Sequence, residues 1–154
     1  MSSRALHTWE ALQVVTEHLK REVGRDLWTD AQLSDAEFTV LANLRMAPEG
    51  MRPGSCARAI GWDSSRLSHQ LRRLEKRGLV DRKADPHDGR AAVVMLTDLG
   101  QIAYRRAIGP HLRSARKWFA EALTPQQMDG LADALGALQH HIERLSQTRP
   151  EEER

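Results

Sequence analysis

The chain has 154 residues, 40% of them apolar and 29% charged, which is the composition of one globular domain with room for a real core. The net charge is only +2, so a polyanionic partner would have to be met by the placement of charge rather than by its total. The single cysteine, Cys56, excludes an internal disulfide framework.

No apolar run reaches membrane-spanning length, and the opening "MSSRALHTWEAL" lacks the apolar stretch of a signal peptide. A cytoplasmic protein with no membrane partner is expected. Residues 5–29 carry Leu6, Trp9, Leu12, Leu19, Val23 and Leu27 at helical spacing, predicting a long amphipathic helix. "LSDAEFTVLANL" opens a second helix, with Ser34 as cap and Glu37 completing a capping box. "APEGMRPG" ends it. Pro53 suits a first helical turn, so "PGSCARAIGW" predicts a short third helix stopped at Gly61.

Asp63 caps a fourth helix, "SSRLSHQLRRLEKR", closed by Gly78. "LVDRKA" and "AAVVML" then read as two strands of a hairpin joined by a polar loop. Thr97 caps the next helix, in which Pro110 predicts a kink or short break before "HLRSARKWFAEAL" continues. Thr124, Pro125 and Gln127 start a last helix, with Leu131, Leu135, Leu138, Ile142 and Leu145 at near-heptad spacing. With so little chain left to cover it, that stripe is expected to form a dimer interface. The fold class expected is mainly α with a small β-hairpin wing, ordered as a winged helix-turn-helix. It forms a single domain over 1–154, with a DNA-binding lobe at 34–97 and dimerisation helices at 5–30 and 98–147.

The fourth helix carries the sharpest signal. At 100° per residue Leu67, Leu71 and Leu74 share one face, whereas Ser65, His69, Arg72, Arg73 and Lys76 share the other, with Arg66 at its edge. Its one acid, Glu75, points back towards the leucines. Small polar residues at the start, Ser64, Ser65 and Ser68, allow close approach to base edges. Arg66 and His69 can read bases, and Arg72, Arg73 and Lys76 can neutralise phosphates. A solvated basic face alone would look the same; the short helix before it and the hairpin after it favour double-stranded DNA as partner.

The turn Asp85-Pro86-His87-Asp88-Gly89 could be read as a metal site, an acid–base cluster or the tip of a hairpin. Its three ligand-type residues lie in one tight turn with no second Cys or His cluster to close a coordination shell, and EF-hand spacing is absent. P-loop, Rossmann, nucleophile-elbow and HExxH patterns are missing too, so neither an enzyme nor a cofactor is expected. As a hairpin tip, Pro86 and Gly89 shape the turn and Arg90 can enter a narrow minor groove. The rivals are an enzyme using the Asp/His turn and a helical protein-interaction module; DNA retention at moderate salt separates both from a DNA-binding protein.

Residues 56–100, "CARAIGWDSSRLSHQLRRLEKRGLVDRKADPHDGRAAVVMLTDLG", resemble the winged helix-turn-helix of MarR-type transcriptional regulators. The most specific pieces are "LEKRGLVDR" at 74–82 and the pattern Asp88, Arg90, Leu96, Thr97. The resemblance implies an obligate homodimer with interlocked terminal helices, recognition helices in adjacent major grooves and wing arginines in the flanking minor grooves. It also implies that Asp88 orients an arginine, with Arg90 the one expected here. His87, read from its place in the turn, is expected to be exposed, with a phosphate contact as the alternative. A ligand-responsive repressor on an inverted-repeat operator is the function implied, with a constitutive activator or architectural protein as the alternative. The family's effector pocket lies between the dimer helices and the DNA-binding lobe, which points to Trp9 and to a small aromatic or anionic effector. Trp28, Trp62 and Trp118 read as packing residues, His7 and His18 as solvated, and Cys56 as a core thiol rather than a redox sensor.

Overall fold

The computed structural model describes residues 1–85 and 88–147, apart from the side chain of Arg90. The chain divides into two compact units, Met1–Ala115 and Arg116–Arg154.

In the first unit, α1 (Ser3–Ala31) starts where the Ser2 hydroxyl accepts from the Ala5 N–H at 3.2 Å. It ends at Gln32, a non-glycine residue in the left-handed region at φ 55°. Only Val23 and Leu27 of its 29 residues are buried, so its first half holds Leu6, Trp9, Leu12, Val14 and Val15 in the open. The capping box expected at α2 (Asp35–Arg45) is present: the Ser34 hydroxyl accepts from the Glu37 N–H at 3.1 Å, and Glu37 Oε2 accepts from the Ser34 N–H at 2.9 Å. Pro53 opens α3 (Pro53–Ile60) and Gly61, at φ 68°, closes it.

After the turn at 61–63, Asp63 Oδ1 accepts from the Arg66 N–H at 2.8 Å and starts α4 (Ser64–Lys76). Gly78, at φ 68°, lets the Leu79 N–H return to the Leu74 carbonyl at 3.0 Å, and the chain leaves as a strand. β1 (Val80–Asp85) and β2 (Asp88–Leu96) pair antiparallel with Val80 opposite Leu96, a longer hairpin than the apolar runs alone predict. Met51 adds a one-residue third rung, exchanging two 2.9 Å backbone bonds with Val94 and tying the approach to α3 onto the wing.

One core gathers α1's end, α2, α3, α4, the hairpin and α5 (Asp98–Trp118), around Leu27, Leu33, Leu41, Leu44, Leu67, Leu71, Leu74 and Val94. The Phe38 ring stacks on Tyr104 at 5.7 Å and meets the His111 ring at 4.3 Å, fastening α5 to α2. Burial holds His111 below its usual imidazole range, against the opposing pull of Asp35. Ser114 on α5 donates to Asp26 of α1 at 2.8 Å.

Helix α5 runs unbroken through Pro110, so of the kink or short break expected there the break does not occur. Proline removes only one N–H, the donor to the carbonyl four residues back, and the rest of the helical ladder carries the chain across. The helix stops at Trp118 rather than continuing to Leu123. A short 3-10 turn, Ala120–Ala122, follows in the second unit. There Thr124 and Gln127 cap one another at the start of α6 (Pro125–Gln147), a 23-residue helix with no buried residue.

Gly100 marks the tightest approach in the fold. A Cβ there would lie 1.9 Å from the Leu79 carbonyl oxygen, whereas a Cβ at Gly54 in α3 would meet nothing within 4 Å. Gly100→Ala should therefore cost several kcal/mol, roughly 3 or more, because backbone must move. Gly54→Ala should be neutral or stabilise by about 0.5 kcal/mol. Urea denaturation of the two variants checks this; equal effects would refute the packing described.

Candidate nucleic-acid interface

The two faces of α4 separate as the leucine spacing requires. Leu67, Leu71 and Leu74 are each at most 1% exposed, while Ser64, Ser65, Arg66, His69, Arg72, Arg73 and Lys76 all face solvent. Ser68 is half-buried, and its carbonyl accepts from Arg72 Nε at 3.3 Å. Glu75 is half-buried and ion-paired with Arg82 of β1, so the helix's own acid is turned off the outer face and neutralised. What remains outward is an acid-free row of serines, imidazole, guanidinium and ammonium groups along about 20 Å of helix.

Arg66 is less free than its exposure suggests. Its guanidinium carbon sits 4.1 Å from the centroid of the Trp62 ring, a cation–π contact that holds the side chain at the N-terminal end of α4. Trp62 is itself half-buried against the core. A tryptophan four residues before an arginine at a helix start was legible as such a pair, but the sequence reading treats Trp62 only as packing.

The wing is braced by a residue the sequence reading missed. Arg52, at the N-cap of α3, donates from Nε to Asp85 Oδ2 at 2.7 Å and from Nη2 to Asp88 Oδ2 at 3.3 Å. Asp85 is 7% exposed, and its carboxylate pushes Arg52 further above its ordinary value. Asp88 therefore does pair with an arginine, but the partner the structure describes lies 36 residues upstream. No local pattern could have shown that. The side chain of Arg90 and the whole of Pro86 and His87, expected to shape and point the wing, lie outside the described residues; the backbone of Arg90 lies in β2. Among the described residues no group of three or more His, Cys, Asp or Glu could hold a metal ion.

Trp9 lies 55% exposed on the open half of α1. Cys56 is 1% exposed, and burial pushes its thiol up, which leaves little thiolate to react. No helix among the described residues is long and apolar enough to cross a membrane.

A short helix, a tight turn, a basic outward helix and a braced hairpin define a winged helix-turn-helix of the DNA-binding type. The family model described as "MarR family" matches residues 31–91. The chain is 29% identical over 113 residues to the HTH-type transcriptional regulator PecS of Dickeya dadantii (strain 3937), covering 72% of this chain and 68% of PecS. Its structure is similar to that of Sco3205, a MarR family transcriptional regulator from Streptomyces coelicolor crystallised in complex with DNA. That match has a TM-score of 0.84 and 27% identity, covering 99% of this chain and 96% of Sco3205. AbsC, a MarR family regulator from the same organism, matches with a TM-score of 0.83 at 27% identity, over 93% of this chain and 97% of its own. Residues 31–91 thus match the MarR family, and the chain is similar along most of its length to MarR family transcriptional regulators.

Arg52→Ala should loosen the hairpin without unfolding α1 or α2. Hydrogen exchange should accelerate at the β1 and β2 amides, and the urea midpoint should fall. Combined with Asp85→Asn, Arg52→Ala should cost less than the two single substitutions summed, because the Arg52–Asp85 bond is then lost only once. Strictly additive effects of the two substitutions would show that the pair is no brace.

Proposed function

We propose that this protein is a sequence-specific regulator that binds double-stranded DNA as a homodimer on an inverted-repeat operator, acting as a ligand-responsive repressor in the cytoplasm. The observation that carries the reading is the outward face of α4: exposed, basic, free of acids, and rooted in the core by three leucines. In this reading Ser64, Ser65, Arg66, Ser68 and His69 meet the floor of a major groove, and Arg72, Arg73 and Lys76 meet phosphates. Arg90, with Asp88 and His87 around it, enters the adjacent minor groove; this part rests on the family's pattern. The lobe at 34–97 is the reader.

The dimer is supported by apolar surface that one chain leaves uncovered. On α6, Leu135, Leu138, Ile142 and Leu145 are 47–58% exposed, and on α1 Leu6, Trp9 and Leu12 are 37–55% exposed. Water-facing rows of this kind on helices at 5–30 and 98–147 are what a second copy would bury. Trp9 is the residue proposed to meet a small aromatic or anionic effector, which would favour a dimer with differently spaced recognition helices and so release DNA.

The test is selection of bound sites from random duplexes with the full chain, followed by the same selection with Arg66→Ala and His69→Ala. Wild type should yield a two-fold symmetric site. Each variant should lose about tenfold or more of its discrimination at one symmetric pair of positions, while other positions keep theirs. Uniform weakening at every sequence would make these residues phosphate contacts, and no enrichment at all would overturn the reading.

A further inference from the structure

The recognition helix is held at its far end by a buried charge that belongs to neither α4 nor the wing. Glu37 is 1% exposed, yet it stays ionised: the Ser34 backbone N–H and the Arg77 guanidinium hold its carboxyl below the usual range despite burial. Arg77, the residue that caps the C-terminal end of α4, reaches Glu37 Oε2 with Nη1 at 2.9 Å. Its Nη2 donates to the Gln32 carbonyl, also at 2.9 Å. Gln32 is the left-handed residue that ends α1, and Glu37 sits in the first turn of α2. One guanidinium therefore clasps the end of α1, the start of α2 and the end of α4.

The leucines under α4 fix which face is buried, but apolar contact is weakly directional. The guanidinium fork is directional, and it acts at the end of a lever. Helix α4 has 13 residues, and a tilt of about 10° about its C-terminal end would carry its first turn through roughly 3 Å. That displacement is as large as a whole hydrogen bond and exceeds the tolerance of a base contact. The same α1 carries Asp26, bonded to Ser114 of α5, and the uncovered apolar first half proposed to meet a second copy.

We infer that Arg77 is a positioning residue, which through Glu37 and the Gln32 carbonyl registers the reading end of α4 to the α1–α2 elbow and so makes half-site spacing depend on how α1 is held. The inference rests on the DNA-binding reading above. Its test uses the full chain, the operator selected for wild type and the same operator with one base pair inserted between its halves. Wild type should discriminate strongly between the two. Arg77→Met, which keeps bulk and removes both bonds, should cut the ratio of the two dissociation constants at least fivefold, and Arg77→Lys should fall between.

Arg77→Met strands a buried carboxylate and can fail to fold. Glu37→Gln combined with Arg77→Met removes the charge while leaving an oxygen to accept from the Ser34 N–H, and it should show the same lowered ratio. A clasp that served stability alone would weaken binding to both operators equally as the folded fraction drops. An unchanged ratio in a folded variant therefore overturns the positioning role and leaves the DNA-binding reading standing. A wild type that selects no DNA overturns both.

Discussion

Everything that faces outward on α4 depends on what its inner face does. Leu67, Leu71 and Leu74 are removed from water against α2, α3 and the hairpin, each contributing on the order of 2 kcal/mol before the entropy of ordering is set against it. Because those positions recur at helical spacing, burying them leaves the residues between them no choice of side. Ser65, His69, Arg72, Arg73 and Lys76 are turned outward as a set. Shifting the whole leucine pattern by one position would turn the helix by about 100° and carry part of the basic row towards the core, where unpaired charge is not tolerated.

Polar bonds then supply what apolar burial leaves loose. Three arginines do this work at three places: Arg52 braces the wing on Asp85 and Asp88, Arg77 joins the far end of α4 to Glu37 and Gln32, and Arg82 takes up Glu75. Each bond to a carboxylate also removes a negative charge from the surroundings of the proposed groove-facing row. A protein whose net charge is only +2 can in this way present a locally basic surface. Placement, not total charge, makes the candidate interface.

The parts legible in sequence were those set by neighbours along the chain. The Ser34–Glu37 and Thr124–Gln127 boxes, the Gly61 and Gly78 stops and the leucine face of α4 are all local patterns, and all are present. Pro110 does not break α5, because the loss of one donor is outweighed by the packing of the surrounding helix, where Phe38 and Asp26 hold His111 and Ser114. Arg52 and Arg77 were illegible as site-shaping residues, because their partners lie 33 to 45 residues away and no spacing announces them. The open apolar faces of α1 and α6 were legible as stripes, and the structure adds that the chain itself leaves them exposed.

The central claim is that two copies of this lobe read two major grooves from one face of a duplex. Hydroxyl-radical footprinting of the full chain on its selected operator tests it most directly. The account predicts two symmetry-related protected patches about one helical turn, ~10 bp, apart, each flanked by minor-groove protection on its outer side. A single patch, or even protection without a repeat along any duplex offered, would contradict it.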